Sequence, residues 1–115
     1  MCIRDRRGRA LAVSGRNAEA IAEVRQATEL DPSFAKAQAT LGVLYLGTNQ
    51  GILAQGRLEK AVALDPSDYR SINALGWIQL QQGNTTKART YFEQALRLKP
   101  NDPVILGNLQ KTQAR

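Results

Sequence analysis

The chain has 115 residues, 43% of them hydrophobic and 23% charged, a size and balance that suit one folded domain rather than two, or a disordered tail. It holds no histidine and one cysteine, Cys2, which excludes histidine-based acid–base catalysis, the common zinc ligand sets and any intrachain disulfide. Sixteen Lys and Arg against ten Asp and Glu leave a net charge of +6, which by itself admits an anionic partner.

Half of that excess comes from residues 1–9, where Arg4, Arg6, Arg7 and Arg9 outweigh Asp5. The stretch Met1-Cys2-Ile3-Arg4-Asp5-Arg6 resembles the conceptual translation of a transposase adapter. On that reading residues 1–7 are foreign to the protein, the native chain extends upstream and Cys2 has no role; a short basic tail is the alternative. No apolar run follows the arginines as a signal peptide requires, so the cytoplasm is the default expectation for the compartment. No apolar run approaches the roughly 20 residues that cross a bilayer. Beyond residue 9 the basic residues are scattered and interleaved with Glu19, Glu23, Glu29, Glu59 and Glu93, the pattern of solvated helix faces.

From there the chain is organised by self-similarity. Pro32, Pro66 and Pro100 stand 34 residues apart, and so do Gly8, Gly42 and Gly76; Ala20, Ala54 and Ala88; Ala27, Ala61 and Ala95; and Leu30, Leu64 and Leu98. Val24, Leu58 and Phe92 form a sixth column, of large apolar residues. Each unit carries helical periodicity in both halves, broken by an inner turn and ended by proline. At the inner turn stand Gly15, Asn49 and Gly83, which tolerate the left-handed conformation that closes a helix. Asn17, Gly51 and Thr85 follow where the second helix needs an N-cap. At the outer turn Asp31-Pro32-Ser33, Asp65-Pro66-Ser67 and Lys99-Pro100-Asn101-Asp102 stop one helix and start the next.

The glycine and alanine columns are small because two helices cross closely there, and Val24, Leu58 and Phe92 fill the space beside the crossing. Each unit is therefore a helical hairpin, and stacking three buries a core that one alone could not. Gly56, inside a second helix, costs roughly 1 kcal/mol relative to alanine. Pro103 to Gln113 begins like a further first helix, with Leu106 and Leu109 in apolar places. Gln110 stands where the small residue would be, which marks a capping helix or a repeat cut short.

This pattern resembles the tetratricopeptide repeat (TPR): 34 residues, helix–turn–helix, with the small residue, the two alanines and the proline in their places over residues 1–102. The resemblance implies an all-α, right-handed superhelical solenoid of helix-turn-helix hairpins with a C-terminal capping helix. The expected divisions are 1–34, 35–68, 69–102 and 103–115. Repeat 1 departs from the pattern, with Arg4 and Arg7 in usually apolar places. Pentatricopeptide repeats, which read RNA, run about one residue longer and lack the proline column, so they fit less well.

At about 100° per residue, two faces of each first helix separate. The fourth, seventh, eighth and eleventh places pack on the second helix; the second, fifth, ninth and twelfth lie opposite and line the concave side of the stack. That face reads Lys36, Ala39, Val43 and Leu46 in repeat 2, and Arg70, Asn73, Trp77 and Leu80 in repeat 3. An apolar strip with two cations, an amide and an indole suits a peptide or helix carrying an acidic group. Trp77 reads either as a groove anchor or as packing against a neighbouring helix. Lys36 and Arg70 read either as partner contacts or as solvated charge, and Asn73 either holds peptide backbone or bonds water.

The family's clamp for terminal dicarboxylates of chaperones would fall on Asp5, Arg9, Thr40, Arg70 and Ala74. Only two of these are cationic and Asp5 repels the ligand, so that clamp is disfavoured. There is no Gly-rich phosphate loop, no metal spacing and no nucleophile with a base in reach, so no cofactor and no catalysis are expected. Glu19 and Glu23 read as solubilising charge. Asn84-Thr85-Thr86 matches a glycosylation acceptor, but at a helix cap.

The expected function is a non-catalytic protein–protein interaction scaffold. The alternatives are the repeat region of a larger enzyme or of a secretion or assembly factor, and, last, an RNA or anionic-surface binder. Self-association through the solenoid ends is also open.

Overall fold

The computed structural model describes residues 18–113, and among these the regular structure is entirely helical. Helix α1 covers residues 18–30, followed by α2 (Ala35–Gly47), α3 (Gly51–Leu64), α4 (Tyr69–Gln81), α5 (Thr85–Leu98) and α6 (Pro103–Gln113). Gly8, Gly15, Asn17, Cys2 and the adapter-like segment lie outside the described residues.

Packing follows the expected hairpins. α2 lies most extensively on α3 and α4 on α5; α3 then meets α4, and α5 meets α6. The inner turns close through left-handed residues, Asn49 at φ 62° and Gly83 at φ 84°. Their backbone bonds repeat 34 residues apart: Gln50 N–H donates to the Tyr45 carbonyl and Asn84 N–H to the Gln79 carbonyl, both at 2.8 Å.

The outer turns are Asx turns in two copies. Asp31 Oδ1 accepts from the Ser33 amide (3.1 Å) and hydroxyl (2.6 Å), and Asp65 Oδ1 does the same for Ser67 at 3.1 and 2.7 Å. The third copy has Lys99 in place of the aspartate and takes another route. Asn101 turns left-handed at φ 68°, and Asp102 caps α6 by accepting from the Val104 (2.9 Å) and Ile105 (3.2 Å) amides.

The caps of the second helices differ from expectation. Gln50 and Asn84 occupy the cap positions of α3 and α5, one residue before Gly51 and Thr85, and neither side chain caps its helix. Gln50 donates instead to Thr48 Oγ1 (2.6 Å) and Asn84 to Gln79 Oε1 (2.9 Å). Both amides reach back across the inner turn through their NH2 groups, which cannot accept from the N–H groups at the helix start.

The small columns face the large one directly. Leu58 and Phe92 are fully buried, as are Ala54, Ala61, Ala88 and Ala95. A Cβ on Gly42 would stand 2.6 Å from Leu58 Cγ, and one on Gly76 would stand 2.5 Å from Phe92 Cε1. The obstacle to a larger residue is thus the facing side chain more than the backbone. Burial of each such leucine or phenylalanine contributes on the order of 1.5–3 kcal/mol. The leucine column does not join this core: Leu30 is 88% exposed, and Leu64 and Leu98 are exposed at the helix ends.

In α6 the buried residues are Ile105 and Thr112, which seat the helix on α5, with Leu109 half-buried beside them. Arg89 holds its C-terminal end by donating to the Thr112 carbonyl (2.9 Å). Leu106, expected at a packing place, is exposed, because that face of a first helix is covered by its own second helix and none follows among the described residues.

Candidate functional site

The first helices differ from the second in what they carry. α2, α4 and α6 contain no Asp or Glu at all, and their basic residues are Lys36, Arg70 and Lys111. The described acidic residues lie on α1, α3 and α5 or in the turns. α2 is also apolar around nearly its whole circumference, with Leu41 and Tyr45 on the core side and Val43, 54% exposed, on the other. A helix apolar on two sides has a second surface to cover.

Two depressions lie along the seam between α2 and α4. The first, of about 480 Å³, is lined by Lys36, Ala39, Thr40 and Val43 from α2, by Arg70 and Ser71 from α4, and by Asp65 and Asp68 from the turn before α4. Both helices start at this end, so their partial positive charges add to those of Lys36 and Arg70. Asp65 accepts from Ser67, and Asp68, the N-cap of α4, accepts from the Ser71 amide (3.3 Å) and hydroxyl (2.7 Å), and both carboxylates offset the charge of Lys36 and Arg70. Arg70 and Lys99 both lie near the Tyr69 ring, at 5.7 and 5.9 Å from its centre.

The second depression, of about 320 Å³, lies toward the other end of the seam between Leu46, Trp77, Ile78 and Gln81, and is closed off by Asn49, Gly51 and Gln82. The eight residues expected on one face are therefore divided. Lys36, Ala39, Val43 and Arg70 share the first depression, while Leu46 and Trp77 share the second. Asn73 accepts a hydrogen bond from Asn108 Nδ2 (3.1 Å), and Leu80 packs against the cluster of Ile72, Ala88, Phe92, Ala95 and Ile105. Of the clamp positions, Thr40 and Arg70 lie in the first depression, Ala74 packs into the core, and Asp5 and Arg9 are outside the described residues.

Two residues at this face escaped the sequence reading, Asn108 and Lys111, whose ammonium lies 4.9 Å from the centre of the Trp77 ring. Counted from Pro103, Lys111 stands in the ninth place, which carrying the register one unit further would have found, whereas Asn108 stands in the sixth, outside the four places that define this face. The capping helix thus brings side chains to Asn73 and Trp77 of α4 as well as covering the core.

Among the described residues no group of three Cys, Asp or Glu could hold a metal ion, and no helix is long and apolar enough to cross a membrane. Among the described residues the Tyr91 phenol, on α5, is held above its ordinary pKa by burial and secondarily by Glu59 of α3.

The family model described as tetratricopeptide repeat matches residues 6–54 and 53–103. The chain belongs to the tetratricopeptide repeat family. No curated protein sequence matches it significantly. Among solved TPR structures, the first TPR of Spaghetti (RPAP3), bound to the HSP90 peptide SRMEEVD, is 20% identical with a TM-score of 0.83, over 97% of this chain and 89% of that one. The second TPR domain of human RPAP3, in complex with the HSP70 peptide SGPTIEEVD, is 22% identical with a TM-score of 0.82, over 96% and 92%. The type III secretion chaperone SycD of Yersinia enterocolitica, in complex with a peptide of the translocator YopD, is 19% identical with a TM-score of 0.79, over 89% and 83%. At these identities the likeness is one of fold.

Proposed function

We propose that this chain is a non-catalytic interaction module that holds a partner peptide along the α2–α4 seam. The observation that carries the reading is the segregation of charge and apolar surface. The first helices carry Lys36, Arg70 and Lys111 and no acidic residue, Asp65 and Asp68 of the turn before α4 line one depression, and a half-exposed apolar strip runs between the two depressions. Peptides bound to three proteins of the same fold support it. A preformed groove on packed helices loses little ordering entropy on binding, so most of that cost falls on the peptide.

The test is selection of peptides from a random phage display library on the folded chain, followed by binding to variants. Peptides that use the seam bind Trp77→Ala and Arg70→Glu at least about tenfold more weakly, the scale of a lost aromatic anchor or charge-assisted bond. They keep their affinity for Ile52→Ser, on the exposed side of α3. Circular dichroism checks that each variant is folded. Selected peptides that bind both seam variants as well as the parent protein refute the reading.

A further inference from the structure

The second helices share one register, and α3 differs from the others on its outer side. That side reads Ile52, Leu53, Gly56, Lys60, Ala63 and Leu64, all exposed, a stripe about 120° wide at 100° per residue. The same places in α5 hold Thr86, Lys87, Thr90, Gln94 and Arg97 before Leu98, and α1 has Glu19, Gln26 and Glu29 among them. Ile52 is 84% exposed and Leu53 51%. Gly56 lies between them and Lys60 and has no packing reason within the described residues. Leu58 and Phe92 keep Gly42 and Gly76 small, whereas a Cβ on Gly56 would meet nothing within 4 Å. A helix glycine that costs stability for no internal contact, set among exposed large apolar side chains, marks a surface that another backbone approaches.

We propose that the outer side of α3 is an interface between two copies of this chain, whose α3 helices run in the same direction about a two-fold axis and cross at Gly56. Charge points to a second copy as the occupant. Arg57 and Glu59 lie on opposite edges of the stripe: Arg57 donates to Gln38 Oε1 of α2 (3.3 Å), and Glu59 lies toward Tyr91 of α5. Lys60 stands within the stripe on the Arg57 side. A two-fold axis along the helices sets the edge with Arg57 and Lys60 in each copy against the edge with Glu59 in the other. Antiparallel helices would set like edges together, Glu59 against Glu59 and Lys60 against Lys60. The stripe is therefore complementary to itself in one orientation. One helix against one helix buries less than the roughly 1,200 Å² of a stable interface, so the pairing is weak. The seam lies on α2 and α4, so the two surfaces are separate.

Sedimentation equilibrium tests the pairing, in reducing buffer at low salt and concentrations up to about 1 mM, the weak end of the affinity scale. The expected result is a monomer–dimer equilibrium that weakens as salt is added. Gly56→Gln, which puts a good helix former at an open place, weakens dimerisation at least about tenfold without lowering the urea midpoint of dilute protein. Glu59→Lys and Lys60→Glu each weaken it roughly threefold to tenfold, as like charges meet on both edges, and an equal mixture of the two recovers the parent's association. A chain that stays monomeric throughout overturns the inference. So does association that Gly56→Gln leaves intact, that grows beyond the dimer, or that mixing the two charge variants fails to recover.

Discussion

Adding a methyl group at Gly76 puts two known effects in opposition. Glycine inside a helix is about 1 kcal/mol worse than alanine, so Gly76→Ala gains that much from the backbone alone. The new Cβ would stand 2.5 Å from Phe92 Cε1 and 2.7 Å from Cδ1, well inside the roughly 3.5–4.0 Å of ordinary carbon contact. Phe92 is fully buried among Ile72, Ala88 and Ala95, so its ring cannot swing away without moving the α4–α5 hairpin. Overpacking of this kind costs about 1–3 kcal/mol, and two contacts this short place the cost at the upper end. The net expectation is a loss of about 2 kcal/mol, or roughly 10 °C in Tm.

Urea denaturation followed by circular dichroism measures the loss as a lowered midpoint. Two companions separate the opposing effects. Gly56→Ala, where a Cβ meets nothing within 4 Å, is expected to raise stability by about 1 kcal/mol. In a Phe92→Val background the ring is gone, and Gly76→Ala changes from destabilising to neutral or stabilising, a coupling of about 2–3 kcal/mol. If Gly76→Ala is as stable as the parent, or its cost is the same with and without the ring, then contact with Phe92 is not what keeps this place small.

Asp102→Ala removes the acceptor for the Val104 and Ile105 amides and is expected to cost about 1 kcal/mol. Hydrogen exchange should rise in α6 first, since that helix alone depends on this cap, and uniform loosening of all helices would contradict that. Tyr91 gives a pH prediction: burial, with help from Glu59, raises its folded pKa above the ordinary value of 10.0. The unfolded phenol then loses its proton first, so the stability Tyr91 contributes is complete below pH 10.0 and is lost as pH rises through the folded pKa. Tyr91→Phe should flatten the alkaline fall in urea midpoint, and an unchanged slope would show that other groups cause it.

Much of the fold was legible because its decisive interactions recur at one sequence separation. The columns of Gly42 and Gly76, Leu58 and Phe92, and Ala54, Ala61, Ala88 and Ala95 are the packing surfaces of the hairpins. Asn49 and Gly83 turn left-handed where the register places them. The helix caps were less legible, since Gln50 and Asn84 precede the positions expected of Gly51 and Thr85. A cap depends on where the turn releases the chain, and propensity alone leaves that open by a residue.

The groove marks the boundary more sharply. Sequence by itself determined the period, the hairpins, and which side chains lie opposite the packing side of each first helix, because a helical register fixes which side chains share a face. Only tertiary structure decided how that face is divided. It drew Leu80 into the core under α6, and it brought Asn108 to Asn73 and Lys111 over Trp77. Those contacts depend on the angle at which α6 seats on α5, through Ile105 and Thr112 against Arg89 and its neighbours. Packing between hairpins sets that angle, and no local periodicity encodes it.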